Sequence, residues 1–274
     1  MNLPTGLIGI FDSGVGGFSV LRAIRELMPH QSIIYVADQA HVPYGQRQME
    51  EIRNFSRGIT HFLITRGASL IVVACNTASA AALHLLRQEN PLISFIGMEP
   101  ALKPATQTTQ SRIVGVLATP ATFQSELFTS VLERFAQDVT ILKSTCPGLV
   151  DEIESGHLQS QKVRQILQNA IQPMLAAGAD TLVLGCTHYP FVLHIIQEIA
   201  GPSIQVIDPS PAIARRIHYL LEKQNILEKS TNKGELTIFT TGDAFLLKEH
   251  LSIFLDEDLP VFPLRWETDK IVFK

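Results

Sequence analysis

The chain has 274 residues, 46% apolar and 18% charged: enough apolar side chain for a sizeable core, and too much for a disordered chain. Its net charge is −4, from 22 Lys and Arg against 26 Asp and Glu, with no dense basic run, so no nucleic-acid partner is expected. Three cysteines, none at CxxC spacing, behind an N-terminus without a basic leader region point to free thiols in a reducing cytoplasm.

Short apolar runs alternate with helix-length segments along the chain. The first strand, LIGIF (7–11), enters the glycine-rich turn DSGVGG and a helix over 17–28. Then come a strand at 32–37, a helix at 48–66, a strand at 70–75, a helix at 78–89 and a strand at 94–98. PALKPATQTTQSR (100–112) reads as a linker. Beyond it lie strands at 112–118, 139–144, 181–186 and 204–208, with helices at 121–136, 160–177 and 190–199 between them. A helix at 209–224, the polar loop STNKG (230–234), a strand at 236–242 and a helix at 243–254 complete the pattern. Near-continuous apolar strands separated by helices predict parallel α/β sheets covered on both faces. The most apolar stretch, SLIVVACNTASAAALHLL, carries Asn76, Thr77, Ser79 and His84, so no membrane span is expected.

An internal repeat appears when IGIFDS (8–13) is laid on VGVLAT (114–119) and LIVVACNT (70–77) on TLVLGCTH (181–188). Each pair is a strand ending in a polar turn, and each half places a cysteine at the carboxyl end of a strand, where ligands bind in open α/β sheets. Two α/β domains are expected: 1–98 plus 209–274, and 99–208. If the halves face one cleft, Cys75 and Cys186 approach one ligand from opposite sides. Two thiols so placed can remove a proton from one face of a carbon and return one to the other, inverting a stereocentre. A helix N-terminus after each cysteine would favour its thiolate. Backbone N–H groups after Gly14, Gly16 and Gly17 would suit a substrate carboxylate.

IFDSGVGG, HVPYG, VVACNTASA, GMEPA and LGCTHYP, in this order over residues 7 to 208, together resemble the cofactor-independent glutamate racemases. The resemblance implies two pseudo-symmetric α/β domains, each a mostly parallel sheet flanked by helices, with the active site in the cleft between them. It implies an amino-acid racemase that interconverts L- and D-glutamate without pyridoxal phosphate or metal and supplies D-glutamate for peptidoglycan. Cys75 would work on D-glutamate and Cys186 on L-glutamate, with Asp12 assisting the first and His188 the second. Substrate contacts would come from Asp12, Ser13, Tyr44, Gly45, Asn76, Thr77, Thr187 and His188, joined by Thr119 and Thr122. The family's further glutamate maps best to Glu154 in CPGLVDEIESG, with Glu152 as the alternative, because Asp151 and Glu152 stand where the family has a proline and an apolar residue. Family members occur as monomers and as differently arranged homodimers. Some respond to a peptidoglycan precursor through an N-terminal extension, a regulation not expected here.

Plainer readings stand beside these. Either cysteine alone is more often a small buried side chain, and Cys146 is read as structural. Asp12 is compatible with capping the first helix. His188 alone could be a buried structural histidine, and Tyr44 a turn aromatic. An aspartate racemase would use the same two thiols. A dinucleotide site is disfavoured because Ser19 replaces the third glycine of the fingerprint and Asp12 would repel a pyrophosphate. Zinc at Cys186 and His188 lacks the ligand spacing.

Overall fold

The computed structural model describes residues 6–274; Met1 to Thr5, the start of the stretch read for a leader, lie outside it. Two compact units divide the chain, one holding the residues up to Met98 together with Ser210–Lys274, the other Glu99–Pro209.

The first unit opens with β1 (Ile8–Asp12), every residue of it buried, and α1 (Phe18–Leu27), which turns Phe18, Leu21 and Ile24 inward at helical spacing. There follow β2 (Ile33–Ala37), a 3₁₀ turn (Tyr44–Gln46) and α2 (Met49–Thr65), begun by a Gln48–Glu51 capping box. β3 (Leu70–Val73), α3 (Asn76–Glu89) and β4 (Ser94–Gly97) complete this stretch. β1 lies between β2 and β3, parallel to both, which is why LIGIF is apolar without alternation.

The second unit starts with α4 (Leu102–Thr108), inside the segment expected to be a linker. Leu102 and Ala105 are fully buried in this unit's core, and Pro104 sits in the first turn, where its missing N–H has no partner to lose. β5 (Ile113–Ala118) is followed by two helices rather than the single one expected: α5 (Pro120–Phe123) and α6 (Glu126–Phe135). Ser125 interrupts them and caps the second by accepting the Phe128 N–H at 3.1 Å. Next come β6 (Thr140–Ser144), α7 (Leu149–Glu154), α8 (Gln161–Ala176) and β7 (Thr181–Gly185). A 3₁₀ turn (Tyr189–Val192) leads into α9 (Leu193–Ala200) and β8 (Gln205–Ile207). The six-residue α7 is too short to show periodicity and was not expected.

The chain then returns to the first unit with α10 (Ser210–Lys223), β9 (Leu236–Thr240), α11 (Ala244–Leu255), β10 (Val261–Glu267) and β11 (Lys270–Phe273). The last two strands were unforeseen. Pro263 argues against a ladder strand, but β10 pairs with β9 only over Val261–Pro263 and with β11 only from Leu264 onward. β10 and β11 form an antiparallel hairpin packed on α2. A Cβ on Gly58 of α2 would lie 2.5 Å from the Asp269 carbonyl oxygen and 2.7 Å from the Trp266 ring.

Strand order in the first unit is β11-β10-β9-β2-β1-β3-β4, and in the second β6-β5-β7-β8. The run β2-β1-β3-β4 thus has the same topology as the whole second sheet. Register agrees too. Phe11 pairs with Val73, which sets Asp12 level with Ala74, and Ala118 pairs with Gly185. In each unit the next residue along the cysteine-bearing segment is the cysteine.

Candidate active site

Cys75 follows β3 at its carboxyl end and serves as the N-cap of α3: its Sγ accepts the Ala78 N–H at 3.4 Å. The helix therefore starts at Asn76, two residues earlier than expected, because sulfur fills the capping role usually taken by a hydroxyl or carboxylate oxygen. A thiolate here meets an aimed N–H and the positive end of a helix dipole. The site is nearly closed to solvent, with Cys75 5% exposed and Ser13, Asn76 and Thr77 each 3% exposed. Among the described residues neither Asn76 Oδ1 nor Nδ2 has a hydrogen-bond partner. Ser79, noted in the sequence only as a polar residue within an apolar run, ties the strand end beneath the thiol by donating to the Val73 carbonyl at 2.9 Å and accepting the Met98 N–H at 2.8 Å.

Asp12 is fully buried at the end of β1, and its Oδ1 accepts the Gly14 N–H at 2.8 Å. It closes the loop as an Asx turn instead of capping α1, whose N-cap is Gly17. The Gly14 N–H is thereby committed to Asp12. Gly17 is required by close packing: a Cβ there would lie 2.6 Å from the Tyr35 hydroxyl and 2.8 Å from Asp12 Cβ.

Tyr44 and Gly45 lie on the 3₁₀ turn after the cis Val42–Pro43 peptide. Tyr44 is buried and donates its hydroxyl hydrogen to Asp38 Oδ2 at 2.6 Å. Burial first, then the neighbouring Asp38 and the charges of Cys75 and Asp12, hold this phenol well above its ordinary value, so it stays protonated. Gly45 is half-buried.

In the second unit Cys186 follows β7 and precedes a 3₁₀ turn rather than an α-helix, so the helix expected to begin there does not cap it. A different group takes that place. His188 Nδ1 lies 3.7 Å from Cys186 Sγ, and His188 Nε2 lies 2.6 Å from Glu154 Oε1. Glu154 is the last residue of α7. Glu152 is occupied elsewhere, with Lys162 at 2.8 Å and Ser160 at 3.1 Å, so the register of this segment places Glu154 beside His188. Burial pulls the His188 imidazole toward neutrality. Hydrogen bonds to Cys186 and Glu154, and the charges of both, outweigh it and hold the ring protonated well above its ordinary range. Thr187 is buried at 3% exposure. Thr119 caps α5 and lies 3.0 Å from the Thr122 hydroxyl. Cys146 is buried near Tyr189 and Cys186, and burial pushes its thiol up to about 12.

Each unit thus presents one buried thiol at the same place in the same topology, with different company. Cys75 has a helix amide, Asp12 nearby and an amide side chain with both polar ends unsatisfied; Cys186 has an imidazolium held by a carboxylate. Thiols so equipped can exchange a proton with a carbon acid.

The chain matches the family model described as Asp/Glu/Hydantoin racemase over residues 18–217. It is 45% identical over 262 residues to a glutamate racemase of Ectopseudomonas mendocina strain ymp, covering 95% of this chain and 99% of that one. To a glutamate racemase of Herpetosiphon aurantiacus it is 49% identical, covering 86% of this chain and 92% of the relative. The crystal structure of glutamate racemase isoform RacE1 from Bacillus anthracis superposes with a TM-score of 0.88 at 30% identity, covering 98% of this chain and 100% of that chain.

Proposed function

The chain belongs to the Asp/Glu/hydantoin racemase family as a glutamate racemase, an isomerase, and from that premise we propose that Cys75 and Cys186 are the two bases that exchange the proton on Cα of glutamate. The observation that carries this reading is the equivalence of the two cysteines. Each stands directly beyond register-matched strands of the same topology.

In the direction from D- to L-glutamate, the Cys75 thiolate takes the Cα proton and becomes a thiol. The electron pair of the broken C–H bond passes into a planar carbanion stabilised by the adjacent carboxylate. The Cys186 thiol then gives its proton to the opposite face and is left as a thiolate beside the His188 imidazolium. The reverse direction exchanges the roles, and between turnovers in one direction Cys75 loses its proton to solvent and Cys186 regains one, which restores the starting thiolate and thiol and brings solvent hydrogen into the product. Cα is a very weak acid, so charge developing on the substrate carboxylate must meet fixed donors. We assign that task to Ser13, Asn76 and Thr77 in the first unit and Thr119, Thr122 and Thr187 in the second, with Tyr44 and Gly45 contributing to binding. The buried, unpartnered amide of Asn76 supports this assignment, since a polar group without a protein partner at 3% exposure is suited to a ligand. Asp12 and His188 assist the thiols on their own sides, and Glu154 orients His188.

The D-glutamate made supplies peptidoglycan synthesis. The three free thiols fit a cytoplasmic setting, and among the described residues no helix is long and apolar enough to cross a membrane. A homodimer would cover the exposed Phe245, Leu246 and Ile253 of α11; the sedimentation coefficient of the purified protein tests that part.

Turnover in D2O by protein purified without cofactor tests the mechanism. Solvent deuterium should enter Cα of the product enantiomer, and glutamate should racemise far faster than aspartate. Dependence on pyridoxal phosphate, or transfer without solvent exchange, would overturn it.

A further inference from the structure

Asp38 directly follows β2 and is fully buried. Its Oδ1 accepts from the Thr241 hydroxyl at 2.7 Å and from Trp266 Nε1 at 2.7 Å. Its Oδ2 accepts the Tyr44 hydroxyl hydrogen at 2.6 Å and lies 2.9 Å from His41 Nδ1. Its own N–H donates to the Asp12 carbonyl at 3.0 Å. One carboxylate therefore joins the loop after β2, the turn after β9 and the strand β10, immediately beside β1 where Asp12 stands. His41 stacks on Phe55 with centroids 3.8 Å apart, and Trp266 packs against both rings. A buried carboxylate that accepts from this many donors is held in one orientation.

A phenol that donates to a buried carboxylate is not free to donate to a substrate. What the Tyr44–Gly45 turn offers instead is its main chain, and the aim of that main chain depends on where the phenol is anchored. We propose that Asp38 is a positioning residue of the active site, which fixes the Tyr44–Gly45 turn through the Tyr44 hydroxyl and is itself aimed by Thr241 and by Trp266 of the C-terminal hairpin. This inference rests on the reading of Tyr44 and Gly45 as substrate contacts. It extends the site to Asp38 and Trp266, which make no contact with the reacting atoms.

The test uses the full chain and measures KM, kcat and pH profiles in both directions for Asp38→Asn, Tyr44→Phe, Trp266→Phe and the Asp38→Asn/Tyr44→Phe double variant, with melting temperatures. Asn at position 38 no longer accepts from all four neighbours, because one of its two ends becomes an N–H donor and its charge is lost. Asp38→Asn and Tyr44→Phe should each raise KM for glutamate about tenfold, with kcat held within about threefold and the pH profile unmoved. The double variant should be no worse than the weaker single, because both remove one interaction. Trp266→Phe should raise KM about threefold. Single effects that multiply, or a lowered melting temperature with KM unchanged, would overturn the inference. A collapse of kcat with a shifted pH profile would do so too, since Asp38 would then take part in proton transfer. If Asp38→Asn does not fold, unchanged KM in both Tyr44→Phe and Trp266→Phe overturns the inference equally. Cys75→Ala and Cys186→Ala run alongside: full activity in either defeats the two-thiol reading itself, whereas their loss of activity beside an unaltered KM in the Asp38 set defeats this inference alone.

Discussion

Glu154 Oε1 lies 2.6 Å from His188 Nε2, on the side of the imidazole opposite Cys186. Through that contact the carboxylate shapes the thiol's chemistry by way of the ring. Glu154→Gln removes one charge-assisted hydrogen bond, on the order of 1.5 kcal/mol, and should lower kcat/KM about tenfold. The loss must be equal in both directions, because the enantiomers are equally stable. The asymmetry should appear in the isotope effect: with Cα-deuterated substrate it should grow for L-glutamate, whose proton Cys186 removes, and stay unchanged for D-glutamate. Equal growth for both would show that Glu154 does not act on the Cys186 side.

His188 carries a linked prediction about pH. Its folded-state value is raised above that of a free imidazole, so its charged form stabilises the fold. That contribution is complete below about pH 6.5, the unfolded value, and is lost as pH rises through the higher folded value. The His188 ring should remain protonated well above about pH 6.5 in a nitrogen-15 NMR titration. Glu154→Gln should bring its titration down and flatten the decline of unfolding free energy on the alkaline side. A His188 titrating at its ordinary value in the wild type would refute the assigned relay.

The three thiols should separate by chemistry. Burial pushes Cys146 up to about 12, so at neutral pH it is a thiol and a poor nucleophile. Iodoacetamide with native protein should label Cys75 and Cys186 and spare Cys146, read by peptide mass spectrometry. Glutamate should protect the two labelled positions. Cys146→Ser should leave the rate within about threefold, whereas Cys75→Ala and Cys186→Ala should each abolish racemisation.

Asn76 sets stability against binding. A buried amide without a partner costs on the order of 1–3 kcal/mol. Asn76→Ala removes that cost and a ligand contact together. It should raise the melting temperature of the unliganded protein and raise KM at least about tenfold, a combination that a merely structural Asn would not give. Thermal denaturation with and without D-glutamate measures both: the variant should start higher and gain less from ligand. A lower melting temperature with KM unchanged would assign Asn76 to the fold.

How far the sequence reached depended on burial. Strands β1 to β9 were legible as short apolar runs between helices, and unbroken ones such as LIVV and TLVLG, covered on both faces, have no other use at that length. The repeat was legible for the same reason, and it led to both thiols. The hairpin at β10 and β11 was hidden by Pro263 and by the charged residues of a strand only partly covered. α4 hid behind its proline. α7 was invisible at six residues, yet it delivers Glu154 to His188. Asp38 carried a usable signal: VADQAHVPYG sets an acid at a strand end just as IFDSGVGG does. Its partners Thr241 and Trp266, 203 and 228 positions away, could not be read from local pattern.

The hairpin that Gly58 lets α2 approach also carries Trp266, whose indole reaches Asp38. β11 ends at Phe273, and that strand holds β10 and hence Trp266 in place. A substitution that weakens the β10–β11 pairing, such as Ile271→Pro opposite Trp266, therefore acts on an edge strand whose partner reaches a buried carboxylate. Damage at this rim of the first sheet should therefore be felt as weaker glutamate binding, far along the chain from either thiol.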